Sequence, residues 1–322
     1  MRSGVHIYLC WYLYEVNMQE RATMTKRKTL ISWVALSLIA LIGGCATSAP
    51  ELRQNAPLML KAKHVQALPV IDGSGNDEAW KSATALNVTL IGVWGPNMGK
   101  SLKATIKSVH TGSHVAFLVR WEDATRNDKT HKPWVWNAEK RTYEQGKEEE
   151  DSVALAFEHT GPFTADMLSP VNAVWDLWTW KSTRSDPVGY ALDKTHRFST
   201  TKPEGKAKEY PSRAGTPIWI QRPDDSGESA PKSLSAPLEY SGDMVSAYAK
   251  TEPSGSGADI RAKGKWENGY WTVELLRKLN TGNPDDTAFD PARTYSMAVA
   301  AQDGTGSMDR ASAVIRLRFE RK

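Results

Sequence analysis

The chain has 322 residues, a formal net charge of +4 and two cysteines. Residues 1–44 hold five basic and two acidic side chains, so 36 basic and 35 acidic residues remain in the rest of the chain. A nearly neutral chain of mixed charge lacks the basic surface that nucleic-acid binding requires. The sequence contains no Cys-x-x-Cys-His motif, which excludes covalently attached c-type haem.

The N-terminal segment resembles the export signal of a bacterial lipoprotein. Three basic residues (26–28) precede an apolar stretch (29–42), which is shorter than the roughly 20 residues of a membrane-spanning helix. The Gly-Gly-Cys sequence that follows resembles a lipobox. This implies a signal peptide over residues 24–44 and a lipid on Cys45. Because Ala46 resembles the signal for release toward the outer membrane, we expect an envelope protein that is lipid-anchored there and faces the periplasm.

The residues on either side of this signal are read as an extension and a tether. Residues 1–23 place acidic and aromatic side chains ahead of the basic run, so we interpret them as a misassigned start and expect translation to begin at Met24. Cys10 lies in this extension, so a chain that begins at Cys45 has no disulfide. Residues 45–56 are small and polar, as expected of a flexible tether. The lipid is then the only membrane attachment.

From residue 57 onward the sequence predicts an all-β protein with few short helices. Its short apolar segments have a period of two or are continuously apolar, and Asn268-Gly269 is typical of a type I′ hairpin turn. Such strands with Gly, Asn and Asp between them favour an antiparallel β-sandwich, which we expect to form one domain over residues 57–322. The predicted strands are 60–65, 88–93, 102–109, 115–121, 152–158, 174–181, 260–266, 270–276, 295–301 and 313–319.

Two long polar stretches interrupt the strands. Residues 123–150 hold Trp134 and Trp136, and we interpret this stretch as a loop that folds over a site. Residues 193–239 are rich in Pro, Ser, Lys and Gly, and we interpret them as an excursion on the surface.

Residues 70–80, Val-Ile-Asp-Gly-Ser-Gly-Asn-Asp-Glu-Ala-Trp, resemble the opening of family 9 carbohydrate-binding modules and of the related haem-binding, DOMON-like β-sandwiches. We assign structural roles to this stretch: Asp72-Gly73 makes a turn, the acidic residues start a helical turn, and Trp80 is buried in the core. A glycan-binding module is therefore one alternative for function, because exposed tryptophans stack on sugars and the chain holds 13 tryptophans.

Four later blocks resemble the ethylbenzene dehydrogenase gamma-subunit family, also described as the cytochrome c-552/dimethylsulfoxide reductase-like haem-binding domain. Their most specific stretch is Trp-Asp-Leu-Trp-Thr-Trp-Lys at residues 175–181. The resemblance implies a β-sandwich with b-type haem at one end, held by a methionine and a lysine. Met167 and Lys181 are then the candidate axial ligands of the haem iron. The blocks are residues 119–125, 131–136, 150–157 and 170–182.

This ligand set is chemically reasonable. A thioether raises the reduction potential of haem iron, and a lysine ligates only as a neutral amine, which needs a desolvated pocket that lowers its pKa. Strand alternation places Trp175 on the same face as Lys181, and Trp178 and Trp180 on the other face. These three tryptophans, Met98 in an early turn, and His131 in the first loop are the remaining candidates for contact with the cofactor.

No sequence motif for a catalytic nucleophile, a zinc hydrolase or a phosphate-binding loop occurs, and we therefore expect a protein that is not an enzyme. Asp151 and Asp176 could pair as acid and base, but each is explained as a strand-end or buried hydrogen-bonding residue. The resemblance favours a membrane-tethered haem b protein that exchanges electrons with a molybdenum oxidoreductase or a cytochrome of the envelope. The alternatives are the glycan-binding module and a sandwich that has lost its ligand and serves as a scaffold.

Overall fold

The computed structural model describes residues 57–92, 97–304 and 310–322. The predicted signal peptide, the tether and Cys45 lie outside these residues. The described part of the chain contains no helix with the length and apolar character that crossing a membrane needs. Strands dominate it, accompanied by helix α1 (Glu78–Ser82) and short 3₁₀ turns, so the prediction of an all-β fold with few short helices is confirmed.

Most predicted strands are present within a few residues of their expected bounds, because their side chains alternate between core and solvent. In chain order the strands are β1 (Leu58–His64), β2 (Leu86–Gly92), β3 (Ser101–His110), β4 (His114–Glu122), β5 (Trp134–Asn137), β6 (Thr142–Gln145), β7 (Ser152–Thr160), β8 (Ala173–Lys181), β9 (Leu192–Ser199), β10 (Lys208–Pro211), β11 (Pro217–Gln221), β12 (Pro231–Ser233), β13 (Met244–Val245), β14 (Tyr248–Lys250), β15 (Arg261–Glu267), β16 (Tyr270–Lys278), β17 (Thr294–Gln302), β18 (Arg310–Ala311) and β19 (Ile315–Phe319).

Most of these strands join one long sheet in the order β10-β11-β9-β8-β7-β17-β18-β2-β3-β4-β16-β15. The sheet folds over to form two packed layers, because the rings of Phe117 in β4 and Trp178 in β8 contact at 5.5 Å although five strands separate them along the sheet. The predicted β-sandwich is confirmed. One pairing departs from the antiparallel expectation: β1 runs parallel to both β3 and β19, between which it lies.

The core between the layers accounts for many of the tryptophans. Trp121, Trp178, Trp180 and Trp271 are buried there, and Trp121 stacks on Trp271 with ring centroids 6.3 Å apart. At about 25 cal/mol per Å² of apolar area, burying a large aromatic side chain of roughly 150–250 Å² contributes on the order of 4–6 kcal/mol before entropy is subtracted. The aromatic residues of the central strands therefore hold the two layers together.

The opening motif of the domain is anchored by one buried carboxylate. Glu274 in β16 accepts hydrogen bonds from the backbone N–H groups of Asp72 (3.0 Å) and Gly73 (2.6 Å) and from the Trp80 indole N–H (2.6 Å). Gly73 has φ +82°, and a Cβ there would lie 2.8 Å from the backbone of Gly264. The turn therefore requires glycine, and Glu274 fixes it to the sheet.

The two long polar stretches fold together. Residues 193–239 were expected to form a surface excursion, but the first part of this stretch forms β9, β10 and β11 of the main sheet. The excursion is therefore shorter than predicted. Hydropathy hides β9 because Asp193, Thr195 and His196 are polar but buried. We call residues 123–151 the first excursion and residues 222–260 the second. They pair directly, since β13 of the second lies antiparallel to β5 of the first.

Candidate functional site

A cavity of about 350 Å³ lies between the two excursions at one end of the sandwich. Its walls come from the first excursion (residues 128–131), from the turn after β8 (183, 184 and 187) and from the second excursion (244–246 and 248–250). Lys129, Arg184 and Lys250 line the cavity together with Asp128, and Arg184 is paired with Glu150. The two lysines favour an anionic ligand.

His131 lines this cavity and is 6 % exposed. Its Nδ1 lies 3.1 Å from Glu149 Oε2 and 3.6 Å from Glu150 Oε1, and its ring packs on Tyr248 with centroids 5.6 Å apart. Burial, and then the charge of Arg184, lower the pKa of His131 to about 4, so the imidazole is neutral at pH 7. A neutral imidazole with one nitrogen beside a carboxylate is how metal-ligating histidines are commonly oriented.

The 3.1 Å contact of His131 Nδ1 with Glu149 is not aligned as a hydrogen bond, and neither atom has another hydrogen-bond partner in the described ranges. With Nδ1 facing Glu149, Nε2 is the ring nitrogen that remains as a possible ligand atom. The site therefore places a neutral imidazole beside a carboxylate.

Glu150 organises the floor of the site. Its Oε2 accepts hydrogen bonds from the backbone N–H groups of Thr183 (3.0 Å) and Arg184 (3.1 Å), and its Oε1 accepts from the Arg184 side chain. Lys181 Nζ lies 4.0 Å from the same Oε1. Burial, and then the charge of Arg184, lower the pKa of Lys181 to about 8. The structure thus brings Lys181 and His131, two of the predicted site residues, to one carboxylate.

Met167 lies elsewhere. It packs against the outer cluster, which comprises Ala173, Trp175, Leu177, Phe198, Ile218 and Ile220. The neighbouring Leu168 accepts a backbone hydrogen bond from Arg213, beside the hairpin of β10 and β11 at the Ala173 end of β8. Six residues of strand, at about 3.3 Å each, separate Trp175 from Lys181 by roughly 20 Å. The structure therefore does not bring Met167 and Lys181 together, and this geometry does not offer them as a pair on one iron.

The other predicted contacts also lie away from the cavity. Trp178 and Trp180 are fully buried in the core, and Trp175 packs between Phe163 and Phe198 in the outer cluster. Strand alternation had predicted their faces correctly. Met98 is 52 % exposed in the turn before β3 and does not line the cavity.

Four residues of the site were not predicted from the sequence. Glu149 and Glu150 lie in the acidic run of residues 148–151 in the first excursion, whereas Met244 and Tyr248 lie in the second excursion, about 100 residues later. The acidic run directly before β7 was the one available signal, because a carboxylate at a strand end is well placed to receive backbone donors.

A sequence model of the ethylbenzene dehydrogenase family matches residues 77–312. The chain belongs to the ethylbenzene dehydrogenase family. The resemblance predicted from residues 119–182 is therefore confirmed, and the match extends over most of the sandwich.

Solved structures show a looser likeness. A family 9 carbohydrate-binding module from Caldicellulosiruptor kristjanssonii in complex with glucose is 11% identical, with a TM-score of 0.37, over 82% of this chain and 96% of that one. A putative carbohydrate-binding protein from Bacteroides uniformis is 7% identical, with a TM-score of 0.39, over 82% of this chain and 100% of that one. Comparison with curated proteins gave no match.

Proposed function

We propose that this chain binds haem b in the cavity between the two excursions and transfers electrons in the cell envelope. The observation that carries the proposal is His131, a buried imidazole that lines the cavity beside the carboxylates of Glu149 and Glu150. Membership of the ethylbenzene dehydrogenase family supports it, because the resemblance to the gamma subunits of that family implies a b-type haem at one end of the sandwich.

The residues of the cavity fit such a group. His131 would supply a nitrogen ligand to the iron, and Met244, which lines the same cavity, would supply a thioether. Lys129 and Lys250 line the same cavity and would pair with the propionate carboxylates of haem. The cavity volume of about 350 Å³ lies at the lower end of the roughly 300–1,000 Å³ range of ligand pockets.

Haem would supply a one-electron couple, and a thioether ligand would shift that couple to a higher potential. The chain's own residues do the rest. Glu149 would orient the His131 ring, Glu150 would hold Arg184 and Lys181 at the floor, and Tyr248 would cover the imidazole. The redox partner would be a molybdenum oxidoreductase or a cytochrome of the envelope. The lipid on Cys45 would hold the sandwich at the membrane surface, and the chain itself would catalyse no reaction.

The glycan-binding alternative depends on tryptophans that solvent can reach. Each tryptophan in the part of the chain that the structure describes is buried or half-buried, and the largest exposed aromatic there is Tyr240. This arrangement favours the haem reading over a flat sugar-stacking surface.

The test is an absorption spectrum of the full chain after reconstitution with haemin, compared with two variants. We expect a Soret band with the narrow visible bands of six-coordinate haem in the wild type. Both His131→Ala and Met244→Leu should change the band positions. Met98→Leu is the matched control, because Met98 and Met244 are equally exposed and only Met244 lines the cavity.

Two results would contradict this proposal. The first is a wild-type chain with no Soret band that instead shifts on a glycan affinity gel, which would support the sugar-binding alternative. The second is a spectrum that changes in Lys181→Met or Met167→Leu but not in His131→Ala. That result would support Met167 and Lys181, the pair expected from the family resemblance, as the axial ligands.

A further inference from the structure

Three carboxylates meet at the ends of three strands, near the cavity between the two excursions. Asp123 follows β4, Asp151 precedes β7 and Asp303 follows β17, and one oxygen from each lies within 4.8 Å of the others. Asp123 is 2 % exposed and Asp151 is fully buried. Like charges at this separation repel one another, and burial strengthens the repulsion between Asp123 and Asp151.

The oxygens of this cluster share few hydrogen-bond donors. Asp123 Oδ1 accepts a hydrogen bond from the Thr125 backbone N–H, and Asp123 Oδ2 is buried with no hydrogen-bond partner among the described residues. The Thr125 hydroxyl lies 3.1 Å from Asp123 Oδ1 and 3.2 Å from Asp303 Oδ1. One hydroxyl proton can serve only one of these carboxylates. A cation bound among the oxygens would satisfy both.

Asp151 is held rigidly at the centre of the group. Its Oδ2 accepts from the Asn127 backbone N–H (2.7 Å) and the Trp271 indole N–H (2.9 Å), and its Oδ1 accepts from the Gly304 backbone N–H (2.9 Å). These three donors come from different segments, so the carboxylate is fixed before any ion arrives. The exposed side of Asp303 is paired with Arg310, whose Nη1 lies 3.8 Å from Oδ2.

We propose that this cluster is a calcium site, with ligands from Asp123, Thr125, Asn127, Asp151 and Asp303. All five supply hard oxygen atoms, and Asn127 Oδ1 lies 3.1 Å from the Thr125 hydroxyl. Calcium takes six to eight oxygens in an irregular arrangement, whereas magnesium demands a regular octahedron and zinc prefers nitrogen and sulfur. Ligands at alternating positions in one loop, here 123, 125 and 127, are also how calcium loops supply their oxygens.

The site would secure the start of the first excursion. The Asn127 carbonyl accepts from the Asp151 N–H (2.9 Å) and the Ser182 hydroxyl (2.8 Å), so a cation here would fasten this loop to β7 and β8. The segment that leaves this point, residues 128–131, is a wall of the cavity. The calcium proposal does not depend on the haem proposal, and its test needs no haem.

The experiment is calorimetric titration of the full chain, freed of metal by a chelator, with CaCl₂ and separately with MgCl₂. We expect one calcium per chain, with a dissociation constant below about 1 mM as in extracellular calcium modules. Asp303→Asn should weaken calcium binding at least tenfold. Asp166→Asn is the matched control, because Asp166 and Asp303 are similarly exposed, at 37% and 38%, and each pairs with an arginine.

The proposal also predicts the behaviour of the metal-free proteins. Neutralising one of three crowded carboxylates relieves repulsion, so metal-free Asp303→Asn should melt at or above the wild-type temperature. Wild type and the Asp166→Asn control should gain thermal stability from calcium, and Asp303→Asn should gain less at the same calcium concentration. No calcium heat from folded wild type, equal affinity in Asp303→Asn, or equal responses to magnesium and calcium would each overturn the assignment. Thr125→Ala provides a second weakening variant if Asp303→Asn does not fold.

Discussion

Replacing Arg277 with methionine tests whether a buried ionic cluster holds β16 to the opposite layer. Arg277 is 1 % exposed and donates from Nη1 to Asp176 Oδ2 (2.8 Å) and Asp286 Oδ1 (2.6 Å), and from Nη2 to the Thr287 carbonyl (2.6 Å). Asp193 Oδ2 lies 4.0 Å from the same Nη1. One guanidinium therefore compensates three buried carboxylates, and Met fills a similar volume without the charge.

Removing one partner of a buried ion pair costs about 3–5 kcal/mol, a large part of the roughly 5–15 kcal/mol that stabilises a typical domain. The loss should depend on pH. Burial already raises the pKa values of Asp176, Asp193 and Asp286, and losing Arg277 raises them further. The folded variant then binds more protons than its unfolded state above pH 4, so its stability falls as the pH rises. We expect a larger deficit at pH 8 than at pH 5.5.

The assay is urea unfolding of the full chain, followed by tryptophan fluorescence and extrapolated linearly to water. Arg120→Met is the control, because Arg120 is exposed on the sheet with its guanidinium 3.6 Å from the Tyr270 ring centroid and should cost less than about 1 kcal/mol. If Arg277→Met costs less than 1 kcal/mol at pH 8, or costs the same at both pH values, the cluster does not stabilise the fold in this way.

Three further predictions rest on other parts of the chain. Glu274→Gln should cost about 1–3 kcal/mol in urea unfolding, because its amide nitrogen would face N–H donors, whereas exposed Glu267→Gln should cost under about 0.5 kcal/mol. Burial, then Arg222 and Lys194, lower the pKa of His196 to about 3. In the wild type, this histidine should therefore lower the free energy of unfolding by up to about 1.4 kcal/mol per pH unit as the pH falls from about 6.5 toward 3. The His196→Phe variant should lack this contribution. Cys45→Ser should move the protein from the membrane fraction to the soluble fraction and remove the lipid mass from the N-terminal peptide.

Each of these predictions has a result that would contradict it. Equal losses for the two glutamate variants would deny that Glu274 fixes the opening turn. A His196→Phe variant with the wild-type slope below pH 6.5 would assign that slope to other groups. Persistence of Cys45→Ser in the membrane fraction would exclude lipidation as the anchor, and recovery of a peptide containing Cys10 would contradict the proposed start at Met24.

The strands could be predicted because their apolar residues meet a core. Residues 270–276 alternate and form β16, residues 174–181 are apolar on both faces and form β8, and Asn268-Gly269, with φ values of 51° and 78°, forms the expected hairpin turn. β9 could not be predicted, since three of its five buried residues are polar and the chain gives no local sign of their partners. Thr195, for example, donates to Asp225, which lies in the second excursion.

Only part of the candidate site could be predicted, because some of its residues meet through long-range pairing. Lys181 ends a tryptophan-rich strand, and His131 lies near Trp134 and Trp136, so both have a local sequence signal. Met244 and Tyr248 carry none, because the pairing of β13 with β5 brings them to the cavity. The family resemblance indicates the order of the blocks along the chain but not the distances between them in space. It could therefore not reveal that Met167 lies at the far end of β8 from Lys181.

The most direct test of the central claim is a haemin titration of the full chain, followed at the Soret maximum, for wild type and His131→Ala. We predict that wild type binds one haem per chain and that His131→Ala binds at least tenfold more weakly while keeping its fold by circular dichroism. Equal haem affinity and identical spectra for the two proteins would contradict the account of the cavity between the excursions.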